Sequence, residues 1–166
     1  VSQRFPELPV RTGDVTQLDV PDNHYGAYIS IGVIEHRQAG PEPFLKEAYR
    51  VLHPGAYALI SVPYLNLLRR WKGKLGLYRD DIDNLAFYQY AYSLAELRNH
   101  LMSCGFEWVD FECYDPRKGL KDEISFMGKI FEMPWISKRL HYRLTNNKNL
   151  RHKFSHMIMA ICRKPE

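Results

Sequence analysis

A chain of 166 residues is long enough for one domain with a hydrophobic core and too short to favour two. Hydrophobic residues make up 45% and charged residues 25%, a balance that excludes disordered and fibrous proteins. No run approaches the ~20 apolar residues that cross a bilayer, and a net charge of +4 is mild for a nucleic-acid binder.

Short apolar runs alternate with amphipathic segments in the first half of the chain, which indicates an α/β layered fold. Residues 9–15 predict a short strand that ends in a turn. Residues 25–34 are almost continuously apolar, as expected of a parallel strand buried on both faces. A helix with one apolar face follows over 40–52, and residues 57–62 predict a second buried strand.

The second half begins with a segment of different character. Residues 63–92 are aromatic and basic, and we interpret them as an inserted lid. Ser93 and Glu96 fit a capping box at the start of a helix. Residues 106–111 and 154–162 predict two further strands, separated by an irregular helical insertion over 117–150. We therefore expect a single domain over the whole chain, 1–166.

The three cysteines bear on the compartment and on metal binding. Cys104, Cys113 and Cys162 are widely spaced, odd in number and without a CxxC pair. This pattern favours reduced thiols over a disulfide framework. We therefore expect a cytoplasmic protein with no metal site.

Four segments, taken in order, carry a resemblance to a known family. They are Gly-Asp-Val at 13–15 with Leu18, Tyr-Ile-Ser-Ile-Gly-Val-Ile-Glu-His at 28–36, Glu-Ala-Tyr-Arg-Val-Leu-His-Pro-Gly at 47–55, and Glu-Leu at 96–97 with Gly-Phe at 105–106. Together they are similar to the class I S-adenosylmethionine-dependent methyltransferases, specifically the group with ubiquinone-biosynthesis and small-molecule enzymes. The resemblance implies S-adenosylmethionine as the cofactor.

That resemblance implies a Rossmann-like α/β sheet that lacks its first strands. The strand before Asp14 would be the family's third, and residues 25–34 and 57–62 would be its fourth and fifth. The last two strands would form an antiparallel hairpin at the sheet edge. The family's glycine-rich cofactor loop would precede residue 1, so we expect an N-terminally truncated domain, in which strand exchange would favour a homodimer.

The resemblance also assigns cofactor contacts. The Asp14 carboxylate would accept a hydrogen bond from the adenine amino group, and the Val15 backbone N–H would face a ring nitrogen. Ser30, Ile31 and Gly32 would line the methionine portion, where a glycine permits close approach. From the residues alone, Asp14 could instead cap its own turn, and Ile31 could simply pack in the core.

His36 is the candidate catalytic residue, because a histidine at the carboxyl end of a strand beside Glu35 can act as a general base on a substrate hydroxyl. Methyl transfer from a sulfonium depends chiefly on alignment, so positioning alone is an alternative. Polar and aromatic lid residues are the candidates for binding the substrate, unless they only pack the lid on itself. They are Tyr64, Asn66, Arg69, Tyr88 and Tyr90.

The sequence therefore predicts an enzyme that transfers a methyl group to a small-molecule acceptor. The alternative is a non-catalytic, truncated remnant that serves as an oligomeric or binding module, since no GxGxG loop is present. The basic segment 138–153 could contact phosphates or an anionic membrane surface. An ordinary solvated helix face is the interpretation we prefer for it, and the mild net charge argues against nucleic acid as a partner.

Overall fold

The computed structural model describes residue 7 and residues 9–78 and 87–166. Within them, four strands form one open sheet in the order β1-β2-β4-β3. Strands β1 and β2 run parallel, and β4 is antiparallel to both β2 and β3. The predicted α/β fold with an antiparallel pair at one edge is confirmed. The strands are β1 (Tyr25–Ile31), β2 (Leu52–Pro63), β3 (Glu107–Tyr114) and β4 (Met157–Arg163).

Seven α-helices and one short 3-10 helix, Ile34–His36, occur in the same described part of the chain. Helices α1 and α3 contribute to the main core together with β2 and β4, whereas α4 to α7, between β3 and β4, enclose a second apolar cluster. None of the helices within the described ranges is long and apolar enough to span a membrane. The α-helices are α1 (Glu42–Val51), α2 (Leu67–Lys74), α3 (Leu94–Ser103), α4 (Pro116–Glu123), α5 (Met127–Glu132), α6 (Pro134–Asn146) and α7 (Lys148–Phe154).

One predicted strand is absent from the described residues, and the bounds of the other four differ from the prediction; Phe154, for example, ends α7, and β4 begins only at Met157. Residues 9–15 form no strand; they are exposed, and none of the strands in the described ranges hydrogen-bonds to them. Strand β1 ends at Ile31 rather than at residue 34. Gly32 adopts a φ of +67°, a left-handed conformation that turns the chain out of the sheet and into the 3-10 helix.

The helix boundaries follow local chemistry that the sequence shows. The Ser93 hydroxyl accepts from the Glu96 backbone N–H at 3.3 Å, and the Glu96 carboxylate accepts from the Ser93 N–H at 2.8 Å, which is the predicted capping box. Gly105 takes a φ of +97° directly after α3. Pro134 occupies the first turn of α6, so it separates α5 from α6 rather than kinking one long helix.

Candidate functional site

The carboxyl end of β1 forms a tight turn over a buried carboxylate. Ser30 is buried, whereas the Ile31 side chain is 62% exposed at the same strand end. A side chain at Gly32 would bring its Cβ to 3.4 Å from Oε1 of Glu35. Glu35 itself is almost fully buried. The backbone at Gly32 is therefore open to close approach from one side, with a carboxylate beneath it.

His36 is held in a defined orientation beside this turn. Its Nδ1 lies 2.9 Å from the backbone oxygen of Tyr88, and its Nε2 lies 3.8 Å from Oε1 of Glu35. The rings of His36 and Tyr88 meet edge to face. A carbonyl oxygen can only accept, so Nδ1 carries the proton and Nε2 has the free lone pair in the neutral ring.

Glu35 places a buried ionisable carboxyl beside this turn. Burial raises the pKa of its carboxyl above the ordinary value, and a hydrogen bond from its own backbone N–H, together with the neighbouring His36, opposes that shift only in part. Oε2 is buried, and no group in the part of the chain that the structure describes hydrogen-bonds to it. The backbone oxygen of Glu35 accepts from the N–H of Tyr90 at 3.0 Å, so the same residue fixes the end of the lid.

Asp14 caps its own turn, which is the alternative that its residue type left open. Its Oδ1 accepts from the backbone N–H of Thr16 at 2.8 Å and from the Thr16 hydroxyl at 2.7 Å. These bonds lower the pKa of Asp14, with a smaller contribution from the charge of Arg37. Arg37 follows His36 directly, so Asp14 lies near the carboxyl end of β1. Exposed Val15 lines a cleft that Tyr25 also lines.

The segment that carries Asp14 is fastened to α1 by two residues for which the sequence analysis predicted no role. Glu47 accepts from the backbone N–H of Leu18 at 2.6 Å. Arg50 forms two bonds with Glu47, at 2.7 and 2.8 Å, and donates to the backbone oxygens of Leu18 and Val20. A further bond of 2.7 Å reaches Asp22. The sequence contains one signal for this contact. Glu47 and Arg50 lie three positions apart on a predicted helix, within a segment that resembles the family.

Two of the predicted substrate residues make structural contacts. Asn66 is fully buried: its Oδ1 accepts from the N–H of Arg69 as the cap of α2, and its Nδ2 donates to the Ser155 backbone oxygen. Arg69 donates to Glu123 at 2.9 Å and to the backbone oxygen of Tyr64 at 2.8 Å. The structure therefore brings Tyr88 and Tyr90 to His36 and Glu35, but fixes Asn66 and Arg69 in the packing of α2.

Tyr64 lies apart from the His36 contacts. It is half-buried and forms a parallel bridge with Tyr92 after the end of β2. Burial raises the pKa of its hydroxyl. It lines a cleft with Arg70 and the first turn of α3. Of the lid predicted over 63–92, residues 79–86 lie outside the described residues.

Comparisons with known proteins agree with this architecture. Residues 1–60 match the family model described as "Methyltransferase domain". A protein of Mycolicibacterium smegmatis named "Probable S-adenosylmethionine-dependent methyltransferase" is 31% identical over 110 residues, which are 66% of this chain and 39% of that protein. The chain thus spans well under half the length of this curated relative.

Solved structures show the same fold. An S-adenosylmethionine-dependent methyltransferase from Methanosarcina mazei superposes with a TM-score of 0.58 at 18% identity, covering 93% of this chain and 66% of that one. The 1,6-didemethyltoxoflavin-N1-methyltransferase of Burkholderia thailandensis, with bound 1,6-didemethyltoxoflavin and S-adenosylhomocysteine, gives 0.57 at 16% identity, covering 99% and 55%. In its first 60 residues and in its fold, the chain is therefore similar to the class I S-adenosylmethionine-dependent methyltransferases.

Proposed function

We propose that the chain takes part in methyl transfer from S-adenosylmethionine to a small-molecule acceptor at the carboxyl end of β1. The observation that carries the proposal is the juxtaposition of an open glycine turn at Gly32 with the oriented His36 and the buried Glu35. Perturbed carboxylates beside a histidine at a strand end are typical of functional sites in α/β folds.

The residues at this strand end suit the cofactor. A side chain at Gly32 would occupy the space above the Glu35 carboxylate, so the glycine leaves room for a ligand there. Ile31 offers an exposed apolar surface beside it, and Asp14 uses only Oδ1 for its turn. We propose that Ser30, Ile31 and Gly32 contact the methionine portion and that Asp14 and Val15 contact adenine. Bound S-adenosylmethionine supplies an electrophilic methyl group on its sulfonium.

We propose that His36 accepts the proton that the acceptor loses. The bond from Nδ1 to the Tyr88 oxygen leaves Nε2 as the base. Proton transfer to Nε2 forms an imidazolium. The Glu35 carboxyl, 3.8 Å from Nε2, stabilises that cation when the carboxyl is ionised. Exposed Tyr88 contacts the His36 ring, exposed Tyr90 bonds to the Glu35 backbone, and both offer aromatic surface to the acceptor.

The domain organisation and the wider context are also proposals. We propose one domain over 1–166, with the lid over 63–92 and the helical insertion over 117–150. Strand β1 leaves Ile29 and Ile31 exposed at the sheet edge, which supports pairing with another strand. A homodimer and a cytoplasmic location stay predictions.

The experiment that tests the proposal is His36→Ala, assayed for methyl transfer from radiolabelled S-adenosylmethionine to a panel of small phenols, catechols and amines. We expect kcat to fall about tenfold, a modest effect because alignment dominates this chemistry. The Kd for S-adenosylhomocysteine should stay within about twofold, since His36 is assigned to the acceptor side. An unchanged kcat and pH profile would remove His36 from the mechanism.

Glu35→Gln is the companion variant, with opposite effects on stability and on activity. Because the folded-state pKa of Glu35 is raised, ionisation of this carboxyl destabilises the fold as the pH rises through that pKa. The amide cannot ionise, so we expect Tm at pH 8 to rise by a few degrees and kcat to fall. The Tm difference between Glu35→Gln and the wild type should therefore be larger at pH 8 than at pH 5. A smaller difference at pH 8 would contradict the assignment.

A further inference from the structure

Helix α6 and the residues that flank α5 present large apolar side chains to solvent. Trp135 is 92% exposed and Tyr142 is 68% exposed, and Phe126, just before α5, is 61% exposed. Met133 and Ile136, at the start of α6, are about half exposed. We call these five side chains the aromatic surface. Isolated exposed hydrophobic residues are common, but a group of this size in one short stretch indicates an interaction site.

The packing of α6 explains why these side chains point outward. Ser137, Leu140 and Leu144 face the second apolar cluster and are buried or half-buried. Trp135 and Tyr142 lie seven positions apart, close to two helical turns, and so share a face away from that cluster. The inner face of α6 therefore packs against the second apolar cluster, whereas its outer face exposes Trp135 and Tyr142 to solvent.

Basic residues lie among the exposed rings. Lys138 and Arg139 are exposed and follow Trp135 by one helical turn, and Arg143 follows by two. The chain has no Asp or Glu from Met133 to Pro165, whereas it has eight Lys or Arg there. They are Lys138, Arg139, Arg143, Lys148, Arg151, Lys153, Arg163 and Lys164.

We propose that the aromatic surface and its basic residues bind the surface of an anionic lipid membrane, with α6 lying in the plane of the interface. Trp and Tyr favour the headgroup level, where the apolar ring and the polar edge are both satisfied. Aliphatic Met133 and Ile136 would enter the acyl boundary, and Lys138 and Arg139 would meet lipid phosphates. This replaces the solvated helix face that the charge pattern alone favoured.

A nucleic acid is the competing anionic partner, and the same side chains weigh against it. Phosphate contacts and base stacking use Lys, Arg and flat rings. The aliphatic side chains at 133 and 136 would gain little there, because such binding buries no hydrocarbon against them. A lipid interface uses every member of the group, so the observations favour the membrane.

Vesicle co-sedimentation of the protein tests the proposal, with neutral phosphatidylcholine compared with a mixture containing phosphatidylglycerol. We expect binding to the anionic vesicles that is at least about tenfold stronger than to the neutral ones. Trp135→Ala with Phe126→Ala, and separately Lys138→Glu with Arg139→Glu, should each weaken it by about tenfold or more. Met102→Ala and Lys46→Glu, exposed residues on α3 and α1, are the matched controls and should bind as the wild type does.

Fluorescence identifies the helix that touches lipid. Trp135→Phe should keep most of the binding but lose most of the quenching by brominated acyl chains. Quenching that persists in Trp135→Phe would place another tryptophan at the membrane and overturn the proposal. Equal binding to neutral and anionic vesicles, no vesicle binding, or binding only to a labelled DNA duplex would each overturn it as well.

Discussion

Arg50→Ala should weaken binding of S-adenosylhomocysteine by about a hundredfold, although Arg50 is not assigned to the ligand. One guanidinium bonds to Glu47, to Asp22 and to the backbone oxygens of Leu18 and Val20, and so holds the segment after Asp14 against α1. Without Arg50, ligand binding must order this segment, and the resulting loss of conformational entropy weakens the affinity. Calorimetric titration measures the change.

A structural readout separates this explanation from general unfolding. Backbone amides over 14–22 should exchange with solvent at least about tenfold faster in Arg50→Ala, whereas amides of β2 and β4 should keep their protection. Arg50→Lys should be nearly as damaging, because one ammonium cannot replace the planar fork. Lys46→Ala, an exposed cation on the same helix, is the matched control. Wild-type affinity in Arg50→Ala would show that the segment needs no fastening.

Glu123→Ala should lower the free energy of unfolding by about 3 kcal/mol, the range seen when one partner of a buried ion pair is removed. The carboxylate is 8% exposed and bonds to Arg69 at 2.9 Å, to Lys72 at 3.0 Å and to the Tyr78 hydroxyl at 2.8 Å. Its loss would leave Arg69 without its acidic partner and would detach α2 from α4. Denaturant unfolding followed by circular dichroism measures the effect.

The pH dependence of this effect has a defined sign. Burial alone would raise the pKa of Glu123, but the bonds from Arg69, Lys72 and Tyr78 outweigh it and leave the pKa below the ordinary value of 4.5. The stabilisation is therefore complete above that value and is lost as the pH falls through the folded-state pKa. The difference between wild type and Glu123→Ala should shrink from pH 6 toward pH 3. Glu112→Ala, which removes an exposed pair with Arg151, should cost less than about 1 kcal/mol.

The elements that the sequence predicted well are those in which local chemistry and tertiary packing agree. The capping box at Ser93 and the strand predicted over 106–111 each appear where their patterns place them. The strand predicted over residues 9–15 does not form, because none of the described strands lies beside this segment to pair with it. The end of β1 was predicted too late, because apolar residues continue through Val33 and Ile34 although the chain already turns at Gly32.

The contacts within the candidate site could be predicted where its residues are close in sequence and not where they meet through folding. His36 and Glu35 are neighbours, so their proximity could be read directly. The contact of His36 with Tyr88 joins positions 52 apart, and Arg50 reaches Asp22 across 28. Asn66 and Arg69 were chosen for their polar groups, but these groups serve the cap of α2 and the contact with Glu123. Burial and partner identity, which decide between these roles, are properties of the fold.

The most direct test of a cofactor site at Asp14 and Gly32 is calorimetric titration of the protein with S-adenosylhomocysteine, with Asp14→Ala alongside. We expect a Kd on the order of 10 µM, weakened about tenfold by Asp14→Ala. Thr16→Val, which removes one bond to the same carboxylate, should bind nearly as well as the wild type. No detectable heat at millimolar ligand, from protein shown to be folded, would contradict a cofactor site at Asp14 and Gly32 and would favour the non-catalytic alternative.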